Sequence, residues 1–379
     1  MSHAIYAFSG DPITHGHIDI IKRASKIFDH LTIAIGNNRK KEYLFSLEER
    51  TNLAKKSLEK FTNVTVTSFR GLLVDYAYEN NIGIIIKGMR SYKDFNYEKN
   101  LHLAGESQKL NIETVIFFTK PELAHVSSSM VKMIQRDHGL THEYVPFVVK
   151  QALERKISNQ TIIGVTGEIG CGKTYLCEQL TAHANKKNIE IHNVDLDIIA
   201  HRILDELTEP KYLQIRNTII EEFGSGITSK DGKIDRKKLG EIVFNDKSKL
   251  TKLNDIMSTP IMVRFGRALA NKKGIILLNA ALLVETNISH LSNNNMIVVN
   301  CNKESQMSRL KDRDLSQDQI KRRLENQYSA EEKINSLKET IKNDNWGKIW
   351  QINSSSNKEN YQADVDKILT EIANLFSTI

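Results

Sequence analysis

Cysteine is nearly missing: Cys171, Cys177 and Cys301 are the three in 379 residues, and they form neither a C-x-x-C pair nor a metal-ligand spacing. Neither a disulfide framework nor a zinc site is indicated, and a reducing compartment fits. Proline is sparse, and with 40% hydrophobic and 26% charged residues the composition is that of an ordinary globular chain rather than a collagen-like or disordered one. No stretch of 18 apolar residues runs free of charge, and MSHAIYAFSGDPITHGH lacks a basic start followed by a long apolar segment. The expectation is a soluble, cytoplasmic protein with no membrane span. Acidic excess is absent too, since 53 Lys and Arg face 46 Asp and Glu, a net charge of +7. A mildly basic surface favours small polyanions such as nucleotides, although most of these charges read as solvated; no nucleic-acid partner is expected.

The length suits two domains. In the first 157 residues short β-branched runs alternate with amphipathic segments: strands are predicted at 4–8, 31–36, 64–69, 82–88 and 114–119, and helices at 17–28 and 46–61. The second helix opens with Ser46 and Glu49 in capping-box spacing. Such alternation predicts an α/β fold with a parallel sheet covered by helices, whose ligands bind outside the carboxyl ends of the strands. A helical stretch from Pro146 to about Lys156 closes this unit, and 158–160 reads as a short polar connector. The pattern then restarts in a second α/β domain, 161–379, with strands at 161–165, 189–194, 274–279, 295–301 and 349–353. A charged helical flap is expected from Lys303 to about Lys342, and a last amphipathic helix at 364–376.

In the second half, Gly167-Glu-Ile-Gly170-Cys171-Gly172-Lys173-Thr174 matches G-x-x-x-x-G-K-[ST] between an apolar strand and a helical pattern. Glycines let backbone N–H groups curl round phosphates, Lys173 adds charge, and the Thr174 hydroxyl can reach Mg²⁺, which makes it the candidate metal ligand. After the next strand come Asp195 and Asp197, two carboxylates at i and i+2. Either can serve as the base of a kinase or cap the following helix, and the sequence leaves open which does which.

GVTGEIGCGKT followed by VDLDIIAHRIL resembles the dephospho-coenzyme A kinase family. The resemblance continues through Ser258-Thr259-Pro260-Ile261, where that family has a His-Pro turn, through LLNAALLVE at 277–285, and through LKDRDLSQDQIKRRLENQYSAEEK at 310–333, which is similar to its helical lid. It implies a P-loop kinase with ATP held by Gly170, Cys171, Gly172, Lys173, Thr174, Tyr175 and Arg313. Arg309, Arg322 and Arg323 are weaker candidates. The chain departs from the family at Thr259, Asn279, Ala281 and Cys171, and Asn279 removes a strand-end carboxylate.

In the first half, the strand is followed by Ser9-Gly10-Asp11-Pro12-Ile13-Thr14-His15-Gly16-His17, a tight loop that sets Thr14 and His17 at a helix start, where backbone donors favour phosphate. Lys41, Lys87-Gly88-Met89-Arg90 and Ser127-Ser128-Ser129 also follow strands, and strand exits of a parallel sheet share one edge. From AIY through FSLEER, GLLVDYA, KGMRSYKDFNYE and VSSSMVK, this half resembles the phosphopantetheine adenylyltransferase family, with its Rossmann-like nucleotidyltransferase sheet. The resemblance implies joining ATP to 4′-phosphopantetheine with Mg²⁺, giving dephospho-coenzyme A and pyrophosphate. His17 would stabilise the transition state with Thr14 beside it. Ser9, Lys41, Leu73 and Lys87 would contact the pantetheine substrate. Ser9, Gly10, His17, Gly88, Met89, Arg90, Glu98, Leu123, Ala124, His125, Val126, Ser127, Ser128 and Ser129 would hold ATP.

Two departures stand out. The family order Y-P-G-[TS]-F-D-P becomes Tyr6-Ala7-Phe8-Ser9-Gly10-Asp11-Pro12, so Phe and Gly have exchanged places, and a Phe near the nucleotide threatens a clash. Lys87 stands for an Arg and loses the bidentate fork. Together the resemblances imply a bifunctional coenzyme A synthase that uses two ATP and makes CoA. The alternatives are a kinase alone, its first domain a scaffold, or a P-loop NTPase switch. Self-association through the first domain is left open.

Overall fold

The computed structural model describes residues 2–38, 41–229, 233–311 and 317–377. The chain divides into two compact units, with the boundary between Ile157 and Ser158. Each is built on its own five-stranded parallel sheet.

In the first unit the strands are β1 (His3–Phe8), β2 (His30–Ile35), β3 (Val64–Ser68), β4 (Ile84–Met89) and β5 (Glu113–Phe118), within a residue or two of their predicted places. They are ordered β3-β2-β1-β4-β5. Ile5, Ile33, Ile35 and Ile86 are fully buried, as expected where helices cover both faces and no strand alternates cleanly. The chain leaves β1 towards β2 on one side, while β4 lies on the other, so a crevice opens between the exits of β1 and β4. One boundary differs from expectation. The first helix runs His15–Ala24, not 17–28, because Thr14 takes the extended N-cap conformation (φ −125°, ψ 167°). His17 therefore sits within the first helical turn. The helix Leu47–Leu58 opens on the expected capping box, with Ser46 N–H donating to Glu49 at 2.6 Å and Glu49 N–H donating back to Ser46 Oγ at 3.1 Å.

The helix Phe147–Leu153 continues into a wider turn, Glu154–Ser158, and carries a buried Lys150–Glu154 ion pair of 2.6 Å. Residues 158–160 join that turn directly to the next strand: Asn159 is left-handed and Gln160 already belongs to the sheet, its amide donating to the carbonyls of Leu269 and Lys272.

In the second unit β6 (Gln160–Thr166), β7 (Ile191–Asp195), β8 (Gly274–Asn279), β9 (Asn295–Asn300) and β10 (Lys348–Asn353) are ordered β10-β9-β6-β8-β7. Between β7 and β8 a helical block, from Leu196 to Leu269, builds its own core around Ile203, Ile219, Ile227 and Leu239. The expected turn at Thr259-Pro260 is not a turn. Pro260 lies inside the long helix Lys247–Leu269, where tertiary burial overrides the helix-breaking tendency of proline. The charged stretch resolves into three helices, Lys303–Lys311, Gln317–Glu325 and Ala330–Asp344. The last is anchored by Lys333, fully buried, which donates to Ala281 O and pairs with Glu285 at 2.5 Å. Among the described residues no helix is long and apolar enough to cross a membrane.

Candidate functional sites

In the first unit the loop after β1 is fixed by buried charges that sequence reasoning did not single out. Asp11 accepts from the backbone N–H groups of Leu44 and Phe45 and pairs with Lys132. Arg50, 1% exposed, donates to the carbonyls of Ser9 and Gly36 and to Asn37, and lies 3.9 Å over the Tyr43 ring. A guanidinium is suited to this because its fork serves several acceptors at once. Asp11 and Arg50 lie in motifs already quoted, yet nothing in their spacing says that one knots the loop and the other buries itself under it.

His17 lines a cavity of about 1020 Å³ together with Ser9, Thr14, Lys41, Leu73, Lys87, Gly88, Arg90, Glu98 and Val126–Ser129. Most of the candidate residues thus face one space at the crevice. Gly10, Met89, Leu123, Ala124 and His125 do not line it: Met89 is buried, and His125 packs edge-on against Tyr144. The Leu123 carbonyl instead faces Gly16 at the start of the first helix.

The tautomer of His17 follows from its neighbours. Thr14 N–H can only donate, and it reaches His17 Nδ1 at 3.1 Å, with Thr14 Oγ1 2.8 Å from the same atom. Nδ1 is therefore the acceptor, and the ring proton is on Nε2. Burial, then the positive charges of Arg90 and Lys41, push the imidazole down to about 4, so it is neutral at physiological pH. A neutral Nε2–H suits charge stabilisation on a phosphate.

Around it Arg90 is steadied by Asp94 at 3.0 Å and by Val126 O at 3.1 Å. Lys87 pairs with Glu98 at 2.7 Å, so the candidate pantetheine contact and the candidate ATP contact hold one another. Ser127 caps the helix Ser128–Arg136, and Ser128 donates to Pro12 O at 2.8 Å, tying that helix to the β1 loop. The clash expected at Phe8 is one with the nucleotide; against the rest of the chain the residue is accommodated. Its ring stacks on the His17 imidazole, centroids 4.3 Å apart and 18° between planes, and Gly10 makes room for it. Gly10 is left-handed (φ +58°), and a Cβ there would meet the Phe8 ring at 3.2 Å.

In the second unit the glycine loop follows β6. Gly172 takes φ +89°, a conformation open to glycine, and starts the helix Lys173–Lys186. Lys173 Nζ lies inside the loop, donating to Gly167 O at 2.9 Å and Glu168 O at 3.2 Å. Cys171 is buried in the loop, its Sγ 3.0 Å from that of Cys301 at the end of β9; Ser354 Oγ donates to Cys171 O at 2.7 Å. The Cys171 side chain is thus turned inward, away from the phosphate side of the loop, while its carbonyl is held by Ser354. Tyr175 is exposed and stacks on Tyr361.

The structure separates the two aspartates. Asp195 Oδ1 accepts from Asp197 N–H and Ile198 N–H, capping the helix Leu196–Asp205, and its Oδ2 accepts from Asn279 Nδ2 at 2.9 Å. Asn279 thus serves as a donor to Asp195, where a carboxylate would repel it. Among the described residues nothing holds the Asp197 carboxylate in this way. Crowding in the cleft, then the Asp195 charge, raise its affinity for a proton.

Of the arginines, Arg309 lies at the loop, donating to Ser354 Oγ and O and, at 3.4 Å, to Gly170 O. Arg322 and Arg323 line a separate cavity of about 610 Å³ with His201, Arg236, Lys237 and Phe244, one helical turn beyond Asp197. Arg313 lies outside the described residues.

Comparison with known proteins accounts for both halves. A family model described as cytidylyltransferase-like matches residues 9–134, and one described as dephospho-CoA kinase matches 161–348. A phosphopantetheine adenylyltransferase of Alkaliphilus metalliredigens is 41% identical over 156 residues, which is 41% of this chain and 99% of the relative. One of Alkaliphilus oremlandii is 44% identical over the same shares. Among solved structures, a dephospho-CoA kinase from Campylobacter jejuni is 24% identical and covers 57% of this chain and 98% of its own, with a TM-score of 0.35.

Proposed function

The chain belongs to the phosphopantetheine adenylyltransferase family through its first unit and carries a dephospho-CoA kinase domain in its second, and we propose that the two clefts work in series on one substrate. It is a bifunctional transferase for the last two steps of coenzyme A biosynthesis. The observation that supports the reading most is that groups suited to phosphate gather at the strand exits of each sheet, a neutral histidine donor at one and a P-loop lysine near a carboxylate at the other.

In the first cleft a phosphate oxygen of 4′-phosphopantetheine attacks the α-phosphorus of ATP, and the bond to the β-phosphate oxygen breaks to release pyrophosphate. The attacking oxygen is already anionic, so no general base is needed. His17 Nε2–H donates to the α-phosphate as charge builds, Thr14 keeps the tautomer, and Arg90, Lys41 and Lys87 neutralise the phosphates. In the second cleft Asp197 takes the proton of the ribose 3′-hydroxyl of dephospho-coenzyme A as that oxygen accepts the γ-phosphoryl group and ADP leaves. Asp195 anchors the helix that carries Asp197. Lys173, Arg309 and the loop N–H groups hold the ATP phosphates. The cavity lined by Arg236, Lys237, Arg322 and Arg323 keeps a positive excess over its two carboxylates, Asp235 and Glu241, and suits the acceptor's own phosphates.

Mg²⁺ fits the second cleft by donor chemistry: the Thr174 hydroxyl is a hard oxygen ligand, and Mg²⁺ binds through few protein oxygens plus phosphates and water. When bound it would neutralise phosphate charge. Cytoplasmic placement is part of the same proposal. Val115, Ile116 and Phe118 are exposed along the edge strand β5 and support self-association of the first unit, which light scattering can test.

The deciding experiment follows both half-reactions by chromatography on purified protein. His17→Ala should abolish pyrophosphate release and spare phosphorylation of dephospho-coenzyme A, and Lys173→Ala should do the reverse. Equal loss of both activities from either change would contradict two independent sites.

A further inference from the structure

His17 needs more than a tautomer to act as a donor, because its ring must also lie in the right plane. The χ2 torsion of histidine is broad and soft, so the bonds to Nδ1 from Thr14 fix one edge of the ring while leaving it free to rock about that edge. The face of the ring is what remains to be held. Phe8 lies flat against it at 4.3 Å and 18°, and the Tyr6 ring backs Phe8 at 4.9 Å. Tyr6 is itself immobilised, since its side chain is buried and its hydroxyl abuts Gly88, where a Cβ would come within 2.8 Å of it. Tyr6, Phe8 and His17 thus form a wedge from the sheet interior to the cavity floor, and Gly10 supplies the space the middle ring needs.

We propose that Phe8 is a positioning residue for adenylyl transfer, its ring fixing the plane in which His17 presents Nε2–H to the reacting phosphate. The proposal rests on the adenylyltransferase reading of the first cleft. It turns the exchange of Phe and Gly in the β1 loop from a threat to the site into one of its working parts. The apolar face also keeps water from one side of the imidazole, which acts in the same direction as the charges of Arg90 and Lys41 in favouring the neutral ring. A flat aromatic ring can do both, whereas an aliphatic side chain of similar volume fills the space without defining a plane.

The test uses the full chain with ¹³C-labelled histidine, the His17 signal being assigned by its loss in His17→Gln. In the unsubstituted protein a stacked Phe8 ring shifts the His17 ring protons upfield, and signals at ordinary histidine positions overturn the proposal without any variant. In Phe8→Leu, kcat for pyrophosphate release should fall roughly 10- to 100-fold, with KM for ATP changed by less than about threefold. The His17 titration should move up towards the ordinary 6.5 in that variant. Phe8→Tyr keeps the flat face and should keep both the upfield shift and most of kcat. If Phe8→Leu matches the parent in kcat and in titration, Phe8 only fills volume and the proposal fails. If Phe8→Leu loses the dispersed signals of the first unit, the parent ring shift and Phe8→Tyr decide. A parent protein that makes no pyrophosphate from ATP and phosphopantetheine would refute the adenylyltransferase reading instead, while the ring shift would still report whether the stack exists.

Discussion

Acidification should leave adenylyl transfer indifferent to His17 until well below the range where histidines ordinarily titrate. The imidazole is held to about 4 by burial and by Arg90 and Lys41, against 6.5 in an unfolded chain. At pH 5 an ordinary histidine is roughly 97% protonated, whereas one with a pKa near 4 is about 10% protonated. Protonation would place a hydrogen on Nδ1 facing Thr14 N–H, two donors in opposition, so the charged ring must give up its present seat. The sign of the stability effect follows. The folded pKa is depressed, so the unfolded chain binds more protons between the two values, and stability is lost as pH falls through 6.5 towards 4. At pH 5 the loss assignable to His17 is about 2 kcal/mol. His17→Gln removes the titrating group, so its unfolding midpoint in urea should fall less between pH 7 and 5 than that of the parent. The parallel assay is pyrophosphate release from pH 5 to 8, where no limb near 6.5 should depend on His17. A limb at that pH that vanishes in His17→Gln would refute the neutral-donor reasoning, because it would mean that the ring gains or loses a proton during turnover.

The remaining predictions concern groups whose roles the geometry separates. Asp197→Asn should lower kinase kcat by about 100-fold or more, as expected for loss of a proton acceptor, while Asp195→Asn, which retains capping ability, should cost far less; steady-state assays with dephospho-coenzyme A compare them, and a reversed order would exchange their roles. Arg50→Met leaves the carbonyls of Ser9 and Gly36 without their donor and should destabilise the first unit by about 2–4 kcal/mol, read as a lowered thermal transition. Lys333→Met strands Glu285 in a nearly closed site and should cost about 3–5 kcal/mol in the second unit, whereas the paired change Lys333→Met with Glu285→Leu should recover much of it.

Both sheets were legible because buried parallel strands are short β-branched runs, and the ten strands fall within a few residues of those runs. The glycine loop was legible for a different reason: its residue types are dictated by backbone conformation and phosphate charge, so the spacing itself carries the chemistry. What stayed hidden depended on neighbours distant in sequence. Pro260 looked like a turn because burial, not local propensity, keeps it in a helix. The roles of Asp195 and Asp197 were inseparable until Asn279, 84 residues away, was seen to hold one of them. Arg309 looked weaker than Arg313 because a basic residue on a charged helix is usually solvated, and only the approach of Ser354 sets it over the loop. Arg50 stood in the quoted FSLEER run, but nothing there signalled its burial, since an arginine in an amphipathic helix reads as surface.

The interlocked rings of the β1 loop bear on which single substitutions the chain tolerates. A phenylalanine introduced at position 10 while Phe8 is present would be forced into a left-handed backbone and against the ring already there. A glycine introduced at position 8 alone would leave a void over the histidine. Neither position can therefore take the other's residue alone without a steric clash or the loss of a ring contact.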